Sequence, residues 1–270
     1  MTGEQSMKTK EMLTTDNDYF SSSLENEILV FRQKQHIMHV TQDLKKIFSL
    51  YDYMDSVFAS KSYKALVMFN HSELSARVVQ RRFLSKILAG NVEGKDFDRF
   101  VNVVNRLILT LSTLDRMTIF AGQGIISLFY LNIGLAHDYR VVAEDTIFEN
   151  LNSDIGVITK GSGYFLPRLL GIRKAAEVLQ WRRFTADEAL QLGLVDLVVP
   201  ASKLEAETLQ FVERELAHSS SNLLGIRKLL KCDLKELKRS LDLEDHLIKE
   251  RLRSADFREA FAEYCKRTEC

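Results

Sequence analysis

The sequence predicts an α/β layered domain followed by a helical C-terminal region. Three observations predict it: continuous apolar runs of strand length at 65–69 and 117–121, amphipathic helical stretches between them, and helical patterns alone from Ala201 onward. With 270 residues, 46% of them hydrophobic, the chain has enough apolar material for one large core plus an appendage. The 37 basic and 37 acidic side chains cancel, which argues against a nucleic-acid binder held by global charge.

In chain order, residues 1–18 are polar without a periodic apolar face and are expected to form a mobile leader. A hairpin is predicted from Tyr19–Leu24 and Glu27–Phe31, broken at Glu25-Asn26. Thr41 is placed as the cap of a helix whose apolar positions Leu44, Ile47, Phe48, Tyr51, Met54 and Phe58 follow helical spacing. A buried strand at 65–69 follows, then helix from Leu74 to Leu114 interrupted at 90–94, then a strand at 117–121. Ile125–Ala136 reads as a buried helix and Tyr139–Ala143 as a strand. Helices are expected around 162–170, 174–181 and 186–192, and 194–199 closes the layered part before Pro200. Beyond it, Leu234, Leu237, Leu241, Leu247 and Ile248 make an apolar helix face, with Lys235, Lys238, Arg239, Glu244 and Lys249 assigned to its reverse.

Cys232, Cys265 and Cys270 lack metal-ligand spacing and are too few for a disulfide framework, so a reducing compartment and no metal are expected. The apolar stretch at 125–136 is too short to span a bilayer, and no signal peptide is apparent. The expectation is a cytoplasmic protein with neither membrane nor nucleic-acid partners.

From Phe120 to Pro200 the chain resembles the enoyl-CoA hydratase/isomerase, or crotonase, family. The matching marks, in order, are Asp138 and Arg140 opening a strand, Phe148, Gly156, Leu166-Pro167-Arg168-Leu169-Leu170-Gly171, Thr185-Ala186-Asp187-Glu188-Ala189-Leu190, Gly193-Leu194-Val195-Asp196 and Val198-Val199-Pro200. The resemblance implies a crotonase-like spiral of ββα units over 19–200, with 201–270 as a helical region that builds a homotrimer or a hexamer. It also implies a coenzyme A thioester as ligand or substrate, without a further cofactor. The thioester oxygen would meet two backbone N–H donors, because charge developing there is stabilised by preorganised dipoles.

Carried over position by position, those donors fall on Val78 and Phe129. Arg77 stands where the family has glycine, and Leu128, Phe129 and Tyr130 replace a glycine triplet. The two hydratase glutamates correspond to Asn132 and Asn152, and an amide cannot serve as a carboxylate base. Ordinary two-glutamate hydration is therefore not expected. Asp154 is a weaker carboxylate candidate, better read as a solvated loop residue. Lys266 and Arg267 resemble coenzyme A phosphate contacts, and a solvated helix end explains them equally well. Lys160 reads as a surface lysine, His71 as a loop histidine, His137 as a core or cap contact, and Tyr130 and Tyr164 as packing. Ser127 has no His and Asp at triad spacing. Gly161-Ser162-Gly163 resembles a shortened family glycine loop, because no Gly-Lys-Ser/Thr ending makes it a phosphate loop. Two readings stay open: an acyl-CoA enzyme of divergent chemistry, and an inactive scaffold or partner subunit.

Overall fold

The expected hairpin forms from β2 (Phe20–Glu25) and β3 (Ile28–Gln33), which pair antiparallel with Glu25 opposite Ile28. Its two-residue turn, Asn26-Glu27, has φ of 48° and 62°, the positive-φ pair that matches the twist of hairpin strands. The chain is described by a computed structural model over residues 13–70, 76–90, 95–217, 225 and 233–268. Within the stretch expected to be a mobile leader, Thr15–Asp16 form β1 against β2, and the Leu13 carbonyl accepts the Ser22 hydroxyl at 2.6 Å. The folded part thus reaches back at least to Leu13, whose fully buried side chain anchors it.

From β3 the sheet grows in one direction by parallel additions: β4 (Ala65–Asn70), β5 (Met117–Gly122), β7 (Tyr139–Ala143) and β10 (Leu197–Val199). Its order is β1-β2-β3-β4-β5-β7-β10. The central strands are apolar on both faces because both are covered. Leu29, Leu66 and Phe120 belong to the large core beneath the crossover helices, whereas Ile28, Val30, Val67 and Ile119 pack with Leu204, Phe211 and Val212 of α8 (Leu204–Ala217).

The crossovers are α1 (Ile37–Val40) with α2 (Leu44–Ala59), and α3 (Ala76–Ala89) with α4 (Lys95–Thr113). Thr41 does not start α2: it ends α1, and Asp43 caps α2 by accepting the Lys45 N–H at 2.8 Å. The carboxylate two residues nearer the helix takes the capping place.

The stretch expected as one helix over 125–136 divides in two. Ile125–Ser127 form β6, and α5 covers Leu128–Gly134 behind the Ser127 cap. β6 pairs parallel with β8 (Ile147–Glu149), which pairs antiparallel with β9 (Arg183–Thr185), forming a second sheet of three short strands. α6 (Ser162–Val178) is kinked at Gly171, where φ of 74° and ψ of 157° leave the helical region, so the two helices expected on either side of Gly171 are both present. α7 (Ala186–Gln191) opens with a reciprocal capping box between Thr185 and Glu188.

The C-terminal region is α9 (Leu234–Arg253) and α10 (Ala255–Thr268). α9 lies on α4 and α6 through Asn105 to Asp245 at 2.7 Å, Lys249 to Asp98 at 2.9 Å and Arg168 to Glu236 at 2.5 Å. Glu244 does not belong to its solvent face. It is 4% exposed, in line with Leu237, Leu241, Ile248 and Leu252. Spacings of three, four and seven residues put it there, and its charge had argued for the opposite face.

Candidate functional site

Two of the positions carried over from the resemblance, Phe129 and Asn152, line one small cavity. α5 presents Phe129, the turn after β8 presents Asn152 and Thr159, α3 presents Gln80 and Phe83, α4 presents Phe100, and α9 closes it with Ile248 and Leu252. Its volume is about 50 Å³. His36, at the entry to α1, also lines it.

Phe129 is the second residue of α5 and Val78 the third of α3. Both sit in a first helical turn, where N–H groups have no intrahelical acceptor. Arg77 beside Val78 is spoken for: Nε donates to Glu149 Oε2 at 3.0 Å and Nη2 to Oε1 at 2.5 Å. Arg183 adds a bond to Oε1 at 3.0 Å. Glu149 ends β8 with a 5% exposed side chain, so the fork is a buried carboxylate clamped by two guanidinium groups. The residue replacing a family glycine therefore fastens α3 to the second sheet. His71, Leu74 and Ser75 lie outside the described residues.

Asn152 is fully engaged. Its Oδ1 accepts from Gln80 Nε2, and its Nδ2 donates to Thr159 Oγ1 at 3.2 Å and the Ile158 carbonyl at 3.4 Å. Asn132 does not line the cavity. It is completely buried, donates through Nδ2 to the Lys160 carbonyl at 3.0 Å, and keeps an Oδ1 without a hydrogen-bond partner among the described residues. Asp154 faces away and pairs with Arg182 at 3.0 Å.

Lys160 is not a surface residue: its side chain is 2% exposed. Nζ donates to the Leu241 carbonyl at 2.6 Å and lies 2.7 Å from Asp245 and 3.6 Å from Glu244. Glu244 also accepts the N–H groups of Gly161 and Gly163, both at 2.7 Å, and so caps the start of α6. Burial raises the Glu244 pKa, against the opposing pull of Lys160 and the two N–H groups. Gly161 is required here, since its φ is 83° and a Cβ would stand 3.1 Å from Asn132 Cβ. Glu244 and Asp245 are the site residues that sequence reasoning missed; helical periodicity was the signal that could have found Glu244.

His36 is buried, and desolvation pushes its pKa down to about 3. Its Nδ1 accepts the Met38 N–H at 3.2 Å, which leaves the ring proton on Nε2. His137 is likewise a buried neutral ring, its pKa lowered by burial to about 4 and its Nδ1 against the Ile133 carbonyl at 3.1 Å. The Tyr130 hydroxyl accepts the Ile37 N–H at 2.8 Å and a bond from Gln33, and Tyr164 is buried under the Arg168 guanidinium, so both tyrosines pack as expected. Lys266 and Arg267 are exposed in the last turn of α10, where cations complement the helix dipole. Cys265 is half-buried; Cys232 and Cys270 lie outside the described residues. Among the described residues no group of three His, Cys, Asp or Glu could hold a metal, and no helix is long and apolar enough to cross a membrane.

Residues 89–269, more than half of the chain, match the enoyl-CoA hydratase/isomerase family. The chain belongs to that family. Solved structures share its fold across nearly its whole length. An enoyl-CoA hydratase from Bacillus halodurans superposes with a TM-score of 0.78 at 19% identity, covering 91% of this chain and 99% of the other. One from Mycobacterium avium subsp. paratuberculosis gives 0.70 at 20% identity, covering 92% and 96%. HypX from Aquifex aeolicus, in a complex with tetrahydrofolic acid, gives 0.74 at 16% identity, with 94% of this chain lying on 46% of that protein. The α/β architecture with a helical C-terminal region is thus the crotonase fold. Asn132 and Asn152 are what this family member carries where the resemblance puts the hydratase glutamates.

Proposed function

We propose that this protein binds a coenzyme A thioester at the Phe129–Asn152 cavity and does not hydrate an acyl double bond by the two-glutamate route. One observation carries the reading: the cavity wall unites Phe129 in the first turn of α5, two residues beyond its cap, with Asn152. Backbone N–H groups of Phe129 and Val78 would take the charge that develops on the thioester oxygen. Donors of this kind are worth roughly 3 to 4 kcal/mol of barrier each. Proton transfer by the two asparagines is excluded by chemistry, because amides do not titrate in the working range. A reaction limited to charge stabilisation at the thioester oxygen fits better than hydration.

A second reading, an inactive scaffold or partner subunit, draws on the full engagement of Asn152 and Lys160 by protein partners. Calorimetric titration with acetyl-CoA, crotonyl-CoA and free coenzyme A, up to about 1 mM because weak binding is worth detecting, separates the two. Saturable heat that is stronger for the acyl forms supports the thioester site; no heat from any of them leaves the scaffold. Crotonyl-CoA incubated with the protein keeps its enoyl absorbance, and its loss would refute the claim about hydration. We further propose that α9 and α10 build a homotrimer or hexamer, with Leu243 and Leu247 exposed on α9 for the contact. Light scattering after size exclusion reads the mass, and a monomer would overturn this.

A further inference from the structure

Two cavities lie back to back behind a partition one side chain thick. His36 and Phe129 line the cavity described above, and their chain neighbours Ile37 and Tyr130 line a second, apolar cavity of about 80 Å³ beneath α2. The His36 and Tyr130 rings meet edge to face at 4.7 Å, and those of His36 and Phe129 stack at 6.2 Å. The Tyr130 hydroxyl is tied to the Ile37 backbone on the far side, so the partition is anchored by hydrogen bonds rather than by packing alone.

From this we infer that the Phe129–Asn152 cavity selects a short, uncharged acyl group, the His36–Tyr130 partition stopping a longer chain from entering the apolar space behind it. The inference rests on the thioester reading above and adds the acyl class to it. Size is the first argument. A cavity of about 50 Å³ holds about four water-sized atoms, since one water needs roughly 10–15 Å³ measured in the same way. An acetyl group, with about three non-hydrogen atoms, fits within that limit and a butanoyl group, with about five, fills it, whereas an octanoyl group, with about nine, exceeds it about twofold. The walls point the same way: Phe83 and Phe100 stand 4.9 Å apart and Phe100 and Phe129 5.7 Å, a run of buried rings carried by three different helices.

Charge is the independent argument. Among the described residues Lys160 is the cation lining this cavity, and its charge is already faced by the carboxylates of Asp245 at 2.7 Å and Glu244 at 3.6 Å while Nζ donates to the Leu241 carbonyl. A carboxylate on the acyl group would be desolvated without a counter-charge. Gln80, Asn152 and Thr159 instead offer uncharged polar atoms, and His36 is neutral at ordinary pH.

The test is calorimetric titration of the full chain with acetyl-, butanoyl-, octanoyl- and malonyl-CoA. Acetyl- or butanoyl-CoA is expected to bind at least tenfold more tightly than octanoyl- and malonyl-CoA. Octanoyl or malonyl affinity equal to that of acetyl-CoA would overturn the inference and leave the thioester site standing. Absence of binding by all four, acetyl-CoA included, would remove both. Tyr130→Ala, which joins the two cavities, should raise octanoyl affinity about tenfold; unchanged affinity in a variant with native circular dichroism would overturn the partition. Should that variant not fold, Phe100→Leu, which widens the first cavity without opening hydrogen bonds, should shift the preference from acetyl toward butanoyl, and an unchanged ratio would count against the size argument.

Discussion

Two ionic clusters, each built on a buried cation, hold this protein together, and they differ in how they are built. In the first, Arg140 at the start of β7 meets Asp196 at 2.6 Å, while Asp138 accepts the Thr118 N–H and hydroxyl at 2.7 and 2.9 Å. Every member sits at or beside the end of a parallel strand, and Asp138, Arg140 and Asp196 are among the residues that carry the family resemblance. In the second, Lys160 meets Asp245 and Glu244 across 81 or more residues of sequence, joining the floor of the cavity to a C-terminal helix. The strand cluster braces the sheet. The helix cluster fastens α9 over the cavity through residues far apart in the chain.

Removing the cation from the helix cluster should show the largest effect. Lys160→Met leaves the buried Glu244 and the half-buried Asp245 without a counter-charge, and a loss of about 3–5 kcal/mol is expected in chemical denaturation. A loss under about 1 kcal/mol would mean that the cluster is not a single ionic unit. Asp196→Ala in the strand cluster should cost about 2–3 kcal/mol, less because Arg140 retains the His137 and Asp138 carbonyls at 3.2 and 3.3 Å. Equal costs for the two substitutions would erase the distinction drawn here.

Acid pH tests the neutral groups that flank both clusters. The folded pKa values of His36 and His137 are lowered to about 3 and about 4, so below the ordinary value of 6.5 the unfolded chain takes up protons first. Their contribution is complete above pH 6.5 and drains as pH falls toward 4, by about 1.4 kcal/mol per pH unit for each ring. His137→Gln should flatten the slope of stability against pH over that window; an unaltered slope would show that another group sets it.

Restoring carboxylates gives a smaller, sharper contrast. Asn132→Glu places a longer, charged side chain in a fully buried slot against Gly161 and should cost about 1–3 kcal/mol. Asn152→Glu keeps Gln80 as a donor while the Thr159 hydroxyl, which accepts from Asn152, can turn to donate, and it should cost less than about 1 kcal/mol by thermal unfolding. Asp154→Ala, which breaks a pair with a 75% exposed Arg182, should fall within about 1 kcal/mol of the parent.

Much of the layered core was legible in advance. The runs at 65–69 and 117–121 read as strands because strands covered on both faces must be apolar throughout, and Gly171 was visible as the break between two helices. β8 and β9, three residues each, were not, since so short a strand carries no periodic signal and exists only through its partners. The same holds for β6, whose apolar residues run unbroken into α5.

By itself the sequence determined the fold class, the family and the neutrality of the chain, because these depend on residue types and local spacing. Tertiary structure alone decided that Lys160 is buried, that Glu244 turns inward to cap α6, that Arg77 clamps Glu149, and that Asn152 is locked while Asn132 is shut away. A charged side chain on a helix reads as solvated until the partner that repays its desolvation is known, and here those partners lie 72 to 85 residues away in sequence.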